Sequence, residues 1–162
     1  MNQVEEIYRR HAPAVYRFAL GLCGDRARAE DLVSETFVRL LTRAPEIRTQ
    51  TALAYLLAVA RNTYLTSRHK LAREVPLVDD YPAPDVDPGQ RLDLQAQLAA
   101  TLQALSLLPE GERAALLLRA DHELTYEEIA AALDITAGAA KVRVHRARIR
   151  LAEATALQRG NP

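Results

Sequence analysis

The 162-residue sequence has no tryptophan, one cysteine and only 5% aromatic residues. A packed core must therefore come from Leu, Ala, Val and Ile, and richness in Leu and Ala favours helix over strand. With Cys23 alone, no intramolecular disulfide can form and no CxxC metal pattern exists. Its apolar, helical setting reads as that of a small buried hydrophobe. No apolar run approaches the ~18 residues of a membrane span. Residues 1–10 carry Glu5, Glu6, Arg9 and Arg10 and lack the apolar region of a signal peptide. A cytoplasmic location is the expectation. His11, His69, His122 and His145 are scattered without metal-ligand spacing. There is no Gly-rich phosphate loop and no G-x-S-x-G motif. No cofactor, no metal and no catalytic residue is expected, so the chain does not read as an enzyme. Net charge is also lacking, with 21 basic residues against 21 acidic. That excludes a uniformly basic coat but not a local basic patch, and distribution is the more informative quantity.

What is present is helical periodicity in two blocks, with 49% hydrophobic residues to fill a core. In the first block Val4, Ile7, Tyr8, Val15, Phe18, Ala19 and Leu22 share a face. Gly24-Asp25 ends that helix, and Asp25 is placed to cap the next. The second helix carries Ala29, Leu32, Val33, Thr36, Phe37 and Leu40 on one side. Residues 42–51, interrupted by Pro45, read as a polar loop. A third helix follows with Leu53, Leu56, Leu57, Ala60 and Tyr64, and it ends in Arg68, His69, Lys70 and Arg73.

Composition then shifts. Residues 74–90 hold Pro76, Pro82, Pro84, Pro88 and Gly89, together with Glu74, Asp79, Asp80, Asp85 and Asp87, and no Lys or Arg. Proline blocks helix and like charges repel, so this predicts an extended acidic linker and a domain boundary. Two bodies on such a tether can tumble independently or lie compact against each other. Residues 1–73 form one domain and residues 91–162 the other.

The second block resumes as helix near Arg91, with Leu92, Leu94, Leu98, Leu102, Leu105 and Leu108 before Pro109. A helix over 112–120 turns Leu116 and Leu117 inward. Thr125-Tyr126-Glu127-Glu128 is a capping box, in which Thr125 and Glu128 each satisfy a free backbone N–H. Thr136 can cap a last helix with Val142, Ile149 and Leu151 among its apolar residues. That helix carries Lys141, Arg143, Arg146, Arg148 and Arg150 with no acid among them, whereas the preceding helix carries Glu127 and Glu128. Two helices, a tight turn and a basic second helix make a helix-turn-helix, whose second helix enters the DNA major groove. Arg matches guanine with two donors, and Lys serves phosphate as a point charge. A solvated basic helix without a partner is the simpler alternative on spacing alone.

The motifs go further. Leu107-Leu108-Pro109-Glu110-Gly111-Glu112-Arg113, then Leu124-Thr125-Tyr126-Glu127-Glu128-Ile129-Ala130, then Gly138 and Lys141-Val142-Arg143-Val144-His145-Arg146-Ala147-Arg148 resemble the C-terminal domain of extracytoplasmic-function sigma factors of the sigma-70 family. Residues 29–40, Ala-Glu-Asp-Leu-Val-Ser-Glu-Thr-Phe-Val-Arg-Leu, are similar to that family's polymerase-binding helix. Tyr55-Leu56-Leu57-Ala58-Val59-Ala60-Arg61-Asn62 resembles its −10-reading helix, with Tyr55 where Trp is usual. The resemblance implies an all-α fold of two small domains, a sigma-2-like bundle and a sigma-4-like helix-turn-helix. It implies core RNA polymerase, promoter DNA and an anti-sigma factor as partners.

Carried onto this sequence, the resemblance assigns Asp31, Ser34, Glu35 and Arg39 to polymerase. It assigns Arg43, Arg48, Thr49, Gln50, Arg61, Asn62, Arg68 and Lys70 to the −10 element, with His69 and Arg73 beside that strand path. It assigns Lys141, Val142, Arg143, His145, Arg146 and Arg148 to the −35 element. The linker would thread toward the polymerase cleft. The sequence departs from the family at Ala139, Ala140 and Val142, where Thr, Val and Ser are usual, and at Thr66, where Asp is common. Those departures bear on promoter preference. They leave a decoy that occupies an anti-sigma factor, and a plain helix-turn-helix repressor, as alternative readings.

Overall fold

The computed structural model describes residues 3–42, 51–71 and 88–160. Among these there are seven α-helices and no strand: α1 (Gln3–Cys23), α2 (Arg26–Thr42), α3 (Ala52–Leu71), α4 (Pro88–Ser106), α5 (Glu110–Ala120), α6 (Tyr126–Leu133) and α7 (Ala137–Arg159). The all-α expectation holds.

Local chemistry sets several helix ends. The chain leaves α1 through Gly24 at φ +73°, a left-handed conformation that suits glycine. The Asp25 carboxylate then accepts from the Arg28 N–H at 3.0 Å and caps α2. Thr51 caps α3 in the same way, accepting from the Ala54 N–H at 3.1 Å. Thr125 and Glu128 form the reciprocal capping box at the start of α6. Thr136 accepts from the Ala139 N–H at 3.1 Å and opens α7. α4 starts earlier than expected, at Pro88 and not near Arg91. Proline is well tolerated at the first helical position, where its missing N–H would have had no partner. The rest of the expected linker, residues 74–87, lies outside the described residues.

α1, α2 and α3 pack as one bundle on Val15, Phe18, Leu22, Val33, Phe37, Leu56 and Leu57. α5, α6 and α7 form a second body on Leu118, Leu124, Ile129, Leu133, Ala140 and Val144. Phe18, Leu22, Leu57 and Leu118 are fully buried, each contributing about 1.5–3 kcal/mol of hydrophobic stabilisation.

The two bodies do not stand apart. Their apolar residues form one continuous core, with α1 against α5 and α3 against α6. α4 bridges them. Leu98 and Leu102 lie on Ala19, Leu20 and Leu32 of the first bundle, while Leu102 also meets Leu105, Leu108 and Ala147. The sequence leaves the arrangement of the two bodies open, and here they are closed on one another. Side chains such as Leu117 and Phe18, which read as core of their own block, turn out to face the other block. Leu117 lies directly against Gly21, and the Phe18 ring meets His122 edge-on, centroids 5.8 Å apart.

Candidate promoter-reading and polymerase-docking surfaces

α7 has a sharply divided circumference. Ala140, Val144, Ala147 and Ala154 are buried. Lys141, Val142, His145, Arg146, Arg148 and Ile149 are exposed. The inward face is built from small residues, which brings α7 close to α5 and α6 and leaves its long basic side chains pointing out. Val142 and Ile149 are apolar, yet they are 46% and 49% exposed. Burial of alanines on the opposite side turns them to solvent. For Val142 this agrees with its assignment to the −35 set.

Two arginines of α7 are held by the first turn of α5. The Arg143 guanidinium, half-buried, lies so close over Gly111 that a Cβ there would stand 2.8 Å from Nη1. Arg150 Nε lies 2.9 Å from Oε2 of Glu112. Arg143 thus differs from its −35 companions by resting on the protein. No sequence periodicity signals that contact. Its trace in the sequence is the bare Gly111, which leaves room for it.

On α2 the assigned polymerase contacts Asp31, Ser34 and Glu35 are exposed and Arg39 is half-buried. Beneath them Ala29, Leu32, Val33, Thr36 and Phe37 are buried. Thr36 is accommodated by donating its hydroxyl to the Leu32 carbonyl at 2.6 Å. The outer face also carries Val38 at 55% and Leu41 at 61% exposure. The resemblance assigns only polar contacts there. The missed signal is that neither Val38 nor Leu41 belongs to the inward set, so the spacing alone puts both outside. Glu35, Val38, Arg39, Thr66 and Ser67 line a shallow groove between α2 and α3.

The −10 set is divided. Arg43, Arg48, Thr49 and Gln50 lie outside the described residues, as does Arg73. His69 and Lys70 fall within α3, but their side chains are not among those described. Asn62 and Arg68 are exposed on α3, so Asn62 is not an interior packing residue. Arg61 points elsewhere. Its Nε and Nη2 donate to Oε1 and Oε2 of Glu110 at 2.9 and 2.8 Å, a bidentate pair joining α3 to α5. Tyr55 is half-buried, and burial raises its hydroxyl pKa. Cys23 is also half-buried; its thiol donates to the Asp25 carbonyl, and burial raises its pKa. That agrees with a packing role.

Residues 7–74 match the family model Sigma-70 region 2, and residues 98–151 match Sigma-70, region 4. The ECF RNA polymerase sigma factor SigM of Bacillus subtilis is 31% identical over 153 residues, covering 91% of this chain and 92% of SigM. The chain belongs to the extracytoplasmic-function sigma factors. In this family of promoter-recognition subunits, EcfG of Rhodopseudomonas palustris is 34% identical, covering 86% of the chain and 77% of EcfG. SigE of Mycolicibacterium smegmatis is 37% identical over 93% of the chain, and the chain spans 61% of its length. Among solved sigma factors, RpoE of Bartonella quintana, in complex with the anti-sigma factor NepR, superposes with a TM-score of 0.72 at 28% identity. That match covers 93% of this chain and 95% of RpoE. CnrH, in complex with the cytosolic domain of CnrY, superposes with a TM-score of 0.71 at 21% identity and shares the fold, covering 99% of this chain and 92% of CnrH. No described helix of the sigma factor is long and apolar enough to cross a membrane.

Proposed function

We propose that the chain binds core RNA polymerase in the cytoplasm and directs initiation at promoters by reading two DNA elements, without chemistry of its own. The first domain, residues 1–73, docks through the outer face of α2 and reads and melts the −10 element. The second domain, residues 91–162, reads the −35 element with α7. The observation that carries the reading is the divided circumference of α7 within a chain that also has the region 2 body. A buried alanine face fixes the helix, and an exposed face presents Lys141, His145, Arg146 and Arg148. Cations in that pattern neutralise phosphates and reach base edges in the major groove.

Docking on polymerase draws on the same logic of an exposed stripe over a fixed core. Asp31, Ser34 and Glu35 supply charge and hydrogen bonds for register, and Val38 and Leu41 supply apolar area. A plain helix-turn-helix repressor leaves this first domain without a role. An anti-sigma partner is proposed because the Bartonella neighbour was solved in complex with one.

The test is co-purification with core polymerase followed by run-off transcription. A sigma factor binds core and yields a defined transcript. A decoy yields no transcript, and a repressor does not bind core.

A further inference from the structure

The paired Arg61 and Glu110 side chains are only 14% and 11% exposed. Glu110 stands in the first turn of α5, where the helix N-terminus also favours a carboxylate. A guanidinium fork that holds a carboxylate in two parallel hydrogen bonds holds a phosphate in the same way. Arg61 is also one of the residues assigned to the promoter strand, so two anionic partners have a claim on it.

The closed arrangement and promoter reading exclude each other on size. Elements centred at −10 and −35 lie about 25 base pairs apart, or about 85 Å at 3.4 Å per pair. A compact chain of this length has a radius of gyration of about 15 Å, hence is roughly 40 Å across. The domains must separate before both elements are read together.

We propose that Glu110 is an internal stand-in for a promoter phosphate: it occupies Arg61 in the free chain and locks the two domains closed. The proposal rests on the assignment of Arg61 to the −10 strand. Opening gives up two charge-assisted hydrogen bonds and returns both groups to water, so the pair favours the closed form by the net strength of those bonds. A strand phosphate that takes over Arg61 restores equivalent bonds on the open chain. It therefore binds the open state selectively, which is the condition for shifting the equilibrium. The surrounding seam, with Leu117 against Gly21 and Arg113 donating to the Leu22 carbonyl, sets the closed geometry in which Glu110 meets Arg61.

The experiment uses the full chain without polymerase, in a Cys23→Ser background. Donor and acceptor dyes are placed at Glu6→Cys and Glu153→Cys, both exposed and distant in sequence from the pair. Glu110→Gln keeps the shape and removes the charge. It is expected to raise the open fraction on the order of ten-fold or more, as loss of a charged hydrogen-bonded pair implies, with helical content unchanged. Arg61→Glu does the same, and the exchanged pair Arg61→Glu with Glu110→Arg closes again. If Glu110→Gln and Arg61→Glu both stay as closed as the parent, the lock is overturned. A second readout is anisotropy of a labelled single-stranded −10-like oligonucleotide at low salt. Glu110→Gln should bind it more tightly by a similar factor. Opening without tighter binding would retain the lock and overturn Glu110 as a phosphate stand-in, together with the strand role of Arg61.

Discussion

Gly21 of α1 and Leu117 of α5 meet so closely across the interdomain seam that a methyl group on Gly21 would stand 2.8 Å from both Leu117 methyl carbons. Two effects compete in Gly21→Ala. Alanine favours helix α1 by about 1 kcal/mol, while overpacking costs about 1–3 kcal/mol. The seam is expected to lose, because the two Leu117 methyls are approached together. Gly21→Ala should loosen domain closure while the first bundle keeps its helical content. Adding Leu117→Ala should relieve the clash. Interdomain energy transfer combined with circular dichroism checks both.

Arg113 holds three chain segments through its guanidinium. It donates to the carbonyls of Leu105 at the end of α4 at 3.0 Å, of Leu108 in the turn after it at 2.9 Å, and of Leu22 in α1. Lysine cannot reproduce this fork. Arg113→Lys is expected to cost about 2–4 kcal/mol, read as a lower urea midpoint with the slope preserved.

Acid should weaken the closed form through His122. Its side chain is 1% exposed, and Nε2 lies 3.4 Å from the Asp121 carboxylate without a hydrogen-bonding alignment. Burial lowers its pKa, Asp121 opposes the shift, and Arg17 across the seam adds to it. A base with a lowered folded pKa binds fewer protons folded than unfolded. The stabilisation is therefore present above the ordinary value of about 6.5 and is lost as pH falls below it. His11 shifts in the same direction through burial and Arg10. Stability measured from pH 7.5 to 5.5 should fall, and the fall should be smaller in His122→Phe, which keeps a ring against Phe18. An equal fall in the variant would remove His122 as a cause.

On the DNA side, Arg146→Ala should weaken binding to a −35 duplex by about 1–3 kcal/mol and relax preference at one base position. Lys141→Ala should weaken all duplexes alike and reduce the salt slope by about one. Fluorescence titration at several salt concentrations separates the two behaviours.

What was readable in the sequence was chemistry acting over a few residues. Asp25, Thr125 and Thr136 cap the helices they precede because a side-chain oxygen reaches an N–H three residues on. The inward face of α2 and the basic outer face of α7 follow from helical spacing. Arg61 and Glu110, 49 residues apart in sequence, leave no local trace of their pairing. The same holds for Arg143 resting on Gly111 and for Leu117 against Gly21. Those contacts depend on how two helical bodies dock, which periodicity within either body does not encode. Val142 and Ile149 are apolar yet exposed, because small alanines take the inner face.

Docking on polymerase is expected to depend on the apolar part of the α2 stripe. Val38→Asp should weaken core binding at least ten-fold while leaving the melting temperature nearly unchanged, since the side chain is already half in solvent. Pull-down titration with differential scanning fluorimetry measures both.

Promoter selection with reconstituted polymerase probes the central claim most directly. A random DNA pool is transcribed by core enzyme plus this chain, and the start-proximal sequences are read out. The account predicts enrichment of two motifs at fixed spacing, one near −35 and one near −10, with the −35 motif losing definition when Arg146→Ala replaces the parent. Transcripts with no shared upstream motif, or a −35 motif unchanged by Arg146→Ala, would contradict it.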